Sequence, residues 1–402
     1  MMSQNQNPAM TRSWLVITLS AAALLMVTMG VRQSMGLFVS PLNTASGLGL
    51  VKISLALAIG QFMWGAIQPV AGAMADRNGP ASILALGLVL LALGCALAPF
   101  LQTQFGLIVS LGLLMAAGAG IGSFSILIGA ASQHLPAEKR AMSAGMVNAG
   151  GSFGQFVFAP FSQFMISAFG WMAALWTLAG IALASLPLVR PLRGQPKAKH
   201  ADGGVKQALR DAFRNPGYLL LHLGFFTCGF HIAFLVTHLP GEIAYCGLPD
   251  ALAGKALALI GLANVAGSLG AGWIMGRVRA KYVLFWMYAS RALMVLFYLL
   301  APKTELTFYI FAIGLGATWL ATVPPTIGLT GKLCGMSYLA TLFGMTMLTH
   351  QIGGFLGAWL GGLAFTRFGN FDWMWYADIA LAALAALAHL PIREERLAPA
   401  PA

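Results

Sequence analysis

Charge is what this chain has least of. Only 8% of its 402 residues are Asp, Glu, Lys or Arg, where a soluble domain carries about 25%. Hydrophobic residues make up 58% and the mean hydropathy is +0.79. Such a chain has too little polar surface to face water on all sides, which excludes a soluble globular fold and requires a membrane one. Cysteine is scarce as well. Cys95, Cys228, Cys246 and Cys334 are scattered, mostly within apolar stretches, and show no metal-ligand spacing; they read as small apolar filler. Paired carboxylates at acid–base spacing are missing, and so is a Gly-rich loop ending in Lys-Ser/Thr. Neither an enzyme site, nor a metal or other cofactor, nor direct use of ATP is therefore indicated. The first apolar run lacks a small-residue cleavage site, so it reads as a span and not as a removable leader.

What the chain does have is long apolar runs. Twelve fall near 13–40, 52–75, 81–100, 105–132, 140–168, 171–189, 216–240, 252–275, 281–301, 306–330, 338–365 and 373–391. A bilayer core takes about 20 residues of helix, whereas membrane strands show alternating segments of about ten. The runs are long and uniformly apolar, so the expected fold is an all-α membrane protein with twelve transmembrane helices.

The chain also repeats itself. Gly72, Asp76, Arg77 and Gly79 stand in GAMADRNG, and Gly272, Gly276 and Arg277 stand 200 residues on in GWIMGRVR. Gly145, Gly154 and Gly170 recur without gaps at Gly344, Gly353 and Gly369, an offset of 199. This predicts two pseudosymmetric six-helix bundles, 1–190 and 216–402, joined by a basic linker, 191–215. In such tandem plans a small-molecule site falls between the halves.

The net charge of +12 would suggest nucleic acid in a soluble protein. Its distribution reads differently. Arg12, Arg77, Lys139, Arg140, Arg277, Arg279, Lys281, Lys332, the linker and the tail 393–396 fall on one side of the predicted spans. The other side keeps Lys52, Lys255, Lys303 and Arg367. That asymmetry is a topology signal placing both termini in the cytoplasm, with the lipid bilayer as partner and no nucleic acid.

Ionisable residues well inside the runs are Arg32, His231, Arg291, His350 and Asp378. Each costs several kcal/mol in hydrocarbon and is a functional candidate by default. The 199 offset maps Arg32 onto His231, Gly30 onto Gly229 and Pro41 onto Pro240. Pseudosymmetry thus predicts that Arg32 and His231 face each other across a central cavity. An always-charged guanidinium there suits a carboxylate, and a histidine beside it can carry a proton. The competing readings are a structural ion pair or snorkelling for Arg32 and a packing role for His231. Arg291 and Asp378 are expected to form a structural ion pair with each other. Asn148 and Gln155 in the fifth run, Asn264 in the eighth and His350-Gln351 in the eleventh are polar groups that need partners or cavity water. They complete the candidate binding set. Pro324–Pro325 predict a break in the tenth run.

The Gly72–Asp76–Arg77–Gly79 segment resembles the loop between helices two and three of the major facilitator superfamily, G-x-x-x-D-[RK]-x-G. The Gly272–Gly276–Arg277 segment is similar to its degenerate repeat between helices eight and nine. The likeness covers the whole chain. It implies alternating-access transport, with both loops gating one conformation, and a monomer. Within the superfamily, RQSMGLFVSPL, GFHIAFLVTHLP and HQIGGFLGAWLGGL resemble the bacterial monocarboxylate-transporter-like, YcxA-like group. This implies a multi-pass protein of the bacterial inner membrane carrying a small organic anion, often with a proton. Arg32 matches the basic residue such carriers place in helix one. They also place an arginine inside helix eight, where this chain has only Lys255 at the end and neutral Asn264 within. A drug or metabolite efflux carrier of the same superfamily is the alternative expectation.

Overall fold

The computed structural model describes residues 8–135, 137–194, 205–275, 277–335 and 339–394. Helices and short connections make up the described residues, with no strand among them. Eight helical stretches are each long and apolar enough to cross a bilayer. One of them, Met142–Leu192, crosses twice because it turns at Gly170. The tenth, eleventh and twelfth spans complete a set of twelve.

The first span runs through Pro8–Gln33, a tight turn at Met35–Phe38, and Val39–Ser46. Leu50–Asn78 and Pro80–Leu97 follow as the second and third, parted only by Gly79 at φ 84°. The fourth is assembled from Gln104–Leu107, the wide-turned Ile108–Met115, Ala116–Ile121 and Phe124–Gln133. Ala137–Ala184 supplies the fifth and sixth. After the linker helix Val205–Arg214 come Pro216–Tyr245, Ala251–Met275 and Ala280–Leu300. The tenth is split into Glu305–Gly316 and Val323–Cys334; Leu339–Phe368 and Asp372–His389 end the bundle.

The break in the tenth span precedes the prolines. Residues 317–322 are turns, and the helix restarts at Val323 with Pro324 and Pro325 in its first turn. Proline lacks the N–H that a first turn leaves unpaired anyway, so it starts a helix more readily than it interrupts one.

The repeat is visible in backbone geometry. Gly170 and Gly369 join the last two spans of their halves, and both have positive φ, 84° and 74°. Gly154 and Gly353 allow matching close packing. A Cβ at the former would lie 2.2 Å from the Met26 carbonyl oxygen, and at the latter 2.1 Å from that of Phe226. The first span thus packs on the fifth as the seventh packs on the eleventh.

The halves meet along the second and eleventh spans and along the fifth and eighth. A Cβ on Gly362 would lie 2.3 Å from Ser54 Oγ, and one on Gly65 would lie 2.0 Å from Gln351 Cγ. One on Gly261 would lie 2.8 Å from the Ser152 carbonyl oxygen. The same helix faces carry Gly72, two turns past Gly65, Gly145, two turns before Ser152, and Gly344, five turns before Gly362. At these three a Cβ would meet nothing within 4 Å. The halves are therefore joined on the side away from the linker and parted toward it. The molecule is open on its linker face.

Candidate binding site between the halves

Arg32 lies in the last turn of Pro8–Gln33, enclosed and only 7% exposed. Its Nη2 donates to Gln61 Oε1 of the second span. Its guanidinium stands 4.2 Å from the centroid of the Trp64 ring, one turn further on. Gln61 and Trp64 are close in sequence because they share one helical face. Among the described residues no carboxylate pairs with Arg32. A cavity of about 20 Å³ adjoins it, lined by Gly60, Gln61, Leu111 and Met115 from the N-terminal half and by Val236 and Thr237 from the seventh span. That volume suits a single water, so a larger guest enters only when the surrounding helices move.

His231 does not face Arg32. Its ring is fully buried inside the C-terminal half, where Nδ1 is hydrogen-bonded to Asp378 Oδ2 of the twelfth span. Its other flank meets Trp319 edge-on at 6.0 Å between centroids. The offset that relates the two residues fixes their depth, but the Asp378 carboxylate, which has no counterpart in the N-terminal half, turns the histidine inward. Position 179, the repeat mate of Asp378, is alanine.

The expected Arg291–Asp378 ion pair is likewise replaced. Asp378 is taken by His231, and Arg291 Nη2 donates to the carbonyl oxygens of Thr318 (2.8 Å) and Trp319 (3.3 Å). The broken tenth span leaves carbonyls at 318 and 319 without helical donors, and a buried guanidinium satisfies them. Arg291 remains near enough to His231 for their charges to interact.

Asn264 ties the halves together. Its Nδ2 donates to Ser152 Oγ of the fifth span at 2.6 Å, and its Oδ1 accepts from the Leu320 backbone N–H at 2.8 Å. Gln155, three residues beyond Ser152, is 1% exposed, and neither side-chain amide atom has a partner. Asn148 is half-buried on the same face of the fifth span, toward the linker side where the halves have parted. On the eleventh span His350 Nδ1 and Gln351 Nε2 are 3.1 Å apart, and His350 lies within electrostatic reach of both Arg32 and Arg291. Arg32, Gln351 and His350 thus gather near the junction of the halves; His231 and Asp378 do not.

Of the loop residues, Gly79 adopts φ 84° and abuts the Gly194 carbonyl. Gly72 is in open space. The side chains of Asp76 and Arg77 lie outside the described residues, as does Gly276. Gly272 falls within Ala251–Met275, and exposed Arg277 stacks on the Trp273 ring, 3.7 Å from its centroid.

Two residues escape a search of the apolar runs. Gln61 is the amide that holds Arg32, and a Gln within a lipid-spanning stretch, a polar group that needs a partner, is the signal that could have found it. Glu242 is buried, and its carboxylate accepts from the Tyr298 hydroxyl beneath Lys303, whose Nζ lies 3.9 Å from the Tyr298 ring centroid. The seventh helix extends to Tyr245, five residues past the hydropathy run, so Glu242 belongs to a helix that hydropathy ends too early.

Comparison with known proteins accords with this arrangement. The Major Facilitator Superfamily model matches residues 18–358. The chain is 25% identical to monocarboxylate transporter 13 of Rattus norvegicus over 89% of its own length and 83% of the relative's. It is 22% identical to the uncharacterized transporter YcxA of Bacillus subtilis, covering 83% and 84%. With the oxalate:formate antiporter of Oxalobacter formigenes it shares 24% identity over 89% and 86%. In fold it is similar to a bacterial homolog of the human lysosomal transporter Spinster, in an inward-facing, unoccupied conformation. That match has TM-score 0.76, 14% identity, and coverage of 98% and 100% of the two chains. A D-xylose–proton symporter superposes with TM-score 0.75 at 16% identity, covering 94% and 98%. Twelve spans in two related halves, a buried cation at their junction and the matched family model together make this chain a member of the major facilitator superfamily, a membrane transporter and not an enzyme.

Proposed function

We propose that the chain is a secondary carrier that moves a small organic monocarboxylate together with a proton by alternating access. The observation that carries the reading is Arg32. A guanidinium enclosed in the membrane without a carboxylate partner is costly, and a carboxylate guest gripped by two parallel hydrogen bonds relieves that cost. Gln61 and Trp64 hold the fork in place, leaving donors free toward the cavity. Similarity to monocarboxylate transporter 13 supports the same class of cargo.

The excess of Lys and Arg on the linker face supports a cytoplasmic linker and cytoplasmic termini. In that orientation the conformation described is open to the cytoplasm, with a bacterial inner membrane as its setting. Asn148, half-buried on the linker side, and His350 and Gln351, buried near the junction of the halves, are assigned to guiding the anion toward Arg32. The two halves, 1–190 and 216–402, would rock about Arg32 as rigid bodies, and a single chain suffices for this. Among the described residues efflux of a cationic compound finds no anchor, since the buried carboxylates Asp378 and Glu242 are bonded to His231 and Tyr298. Exchange of one carboxylate for another is the second reading, favoured by similarity to the oxalate:formate antiporter.

The test is uptake of labelled formate, oxalate, pyruvate and benzoate into proteoliposomes, with and without an inward proton gradient. Uptake raised by the gradient and lost in Arg32→Gln is the expected result. Gradient-independent uptake that needs carboxylate inside the vesicles selects exchange. Uptake unchanged in well-folded Arg32→Gln removes the anion site from Arg32.

A further inference from the structure

The C-terminal half holds a buried polar cluster with no equivalent in the N-terminal half. It contains His231 and Cys228 from the seventh span, Arg291 and Tyr288 from the ninth, and Asp378 from the twelfth, all sealed from the surface. The tenth span adds Trp319 and Thr322, neither of which titrates, and the eleventh brings His350 within reach of Arg291. His231 and Asp378 share one hydrogen bond. Yet His231 Nε2, Asp378 Oδ1, Arg291 Nε and Arg291 Nη1 have no hydrogen-bond partner. Packing alone does not account for so many uncompensated buried polar atoms in one place.

The cluster is wired to the junction of the halves. Arg291 donates to the carbonyls of Thr318 and Trp319 in the broken stretch of the tenth span. The next amide, that of Leu320, donates to Asn264, and Asn264 donates to Ser152 of the other half. Through residues 318–320, the groups around the buried pair and the contact between halves hold adjacent peptide units.

We propose that the coupling proton of this carrier is held by His231 and Asp378, inside the C-terminal half, and that the broken tenth span transmits its presence to the Asn264–Ser152 contact between the halves. The proposal rests on the carrier reading above. Without the proton, His231 is a neutral imidazole, and Asp378 offsets Arg291. One proton taken from solvent onto the pair makes it imidazolium and carboxylate, and leaves the Arg291 charge uncompensated. At the other site one anion offsets Arg32. Loading both ligands therefore leaves the total buried charge unchanged, whereas loading either alone alters it by one elementary charge. The proton-only carrier thus holds two uncompensated buried cations and the doubly loaded one holds one, so an anion at Arg32 favours the proton at the pair, and by linkage the proton favours the anion.

The experiment needs no cargo. The full chain, with the accessible cysteines Cys246 and Cys334 replaced by alanine and the buried Cys95 and Cys228 kept, carries spin labels at Lys52→Cys and Lys255→Cys, exposed positions at the far ends of the second and eighth spans. In nanodiscs, pulsed resonance reads the distance between them from about pH 5 to about pH 9, bracketing the ordinary histidine value of about 6.5. Proton uptake after a pH jump is followed in parallel with an indicator dye. Expected are a distance shift with pH in the parent, its loss together with proton uptake in Asp378→Asn and in His231→Gln, and its loss with proton uptake retained in Asn264→Ala. His231→Gln serves if Asp378→Asn does not fold. A parent distance indifferent to pH, or a parent-like response in folded His231→Gln or Asn264→Ala, overturns the proposal. Failure of the cargo reading is distinct: no carboxylate is taken up, while the distance response persists.

Discussion

A Cβ built on Gly36 of the first span would stand 1.8 Å from the carbonyl oxygen of Val236 in the seventh. The two halves touch backbone to backbone there, one turn beyond Arg32 on the side away from the linker. Only glycine allows this closure, because the obstacle is main chain and no rotamer relieves it.

Gly36→Ala is therefore expected to disfavour the conformation closed on the far face. Overpacking of this sort costs about 1–3 kcal/mol, enough to shift a two-state balance roughly tenfold or more. Labelling of Leu57→Cys, a buried position beside this contact, from the far side should rise in this variant, and transport should fall. Equal labelling in parent and variant would dismiss the closure role of Gly36.

Arg32→Lys keeps a charge but loses the planar fork, and with it the bidentate grip and the stacking on Trp64. Affinity for the carried carboxylate should drop by roughly 10-fold, about 1.4 kcal/mol, with transport still measurable at high concentration. Parent-like affinity in concentration-dependent uptake would mean that a point charge suffices.

Asp378→Ala strands Arg291 as a buried cation without a carboxylate nearby. The substitution also strips His231 of its hydrogen bond to Asp378; losing a buried partner costs about 1–3 kcal/mol, and the thermal midpoint in detergent should fall clearly. Adding Arg291→Met to Asp378→Ala should recover part of the loss. Strictly additive losses would mean that the two charges do not offset each other.

Gly170→Ala forces a side chain onto φ 84°, ψ 161°, a region open in practice to glycine alone, at a cost of about 1–3 kcal/mol. A lower thermal midpoint with unchanged cargo affinity is expected, since the turn lies far from Arg32. A stability equal to the parent's would show that the fifth and sixth spans can meet in another way.

Glu394 clamps the linker face of the C-terminal half. Its carboxylate accepts from Lys332 Nζ and from the backbone N–H groups of Ala280 and Lys281 at 3.2 Å each. Burial alone would raise its pKa, but these hydrogen bonds outweigh burial and hold it below the ordinary carboxylate value. A lowered folded-state pKa means stabilisation that is present above the unfolded value, about 4.3, and lost as pH falls through the folded one. Protection of Ala280 and Lys281 from hydrogen exchange, taken relative to the intrinsic rate at each pH, should thus be high at neutral pH and fall on acidification. Glu394→Gln should exchange quickly throughout. Slow exchange in Glu394→Gln would assign the protection to the helix alone.

Much of this molecule is legible in the chain because the controlling physics is local. Hydropathy over about 20 residues decides whether a stretch can span a bilayer. It therefore marks the spans without knowledge of their neighbours, and a duplicated pattern of glycines survives as a duplicated pattern of turns at Gly170 and Gly369. The rarity of intramembrane charge singles out Arg32, His231, Arg291 and Asp378 before any contact is known.

Which of those residues meet is a different matter. A hydrogen bond between His231 and Asp378 joins groups 147 residues apart, and it depends on how each helix is rotated about its axis. The 199 offset carries depth along the span but not the chemistry of the facing helix. Arg32 therefore finds Gln61 and Trp64 in its own half, and His231 finds a carboxylate that the first half lacks. The break in the tenth span was likewise decided by packing, since Arg291 and Asn264 satisfy the groups that an unbroken helix would have paired internally. Sequence alone determined that this is a twofold-repeated bundle of membrane helices with a few costly buried charges. Tertiary structure alone decided that those charges divide into a lone cation at the junction of the halves and a compensated cluster inside one of them, because partner choice is set by helix rotation and not by order along the chain.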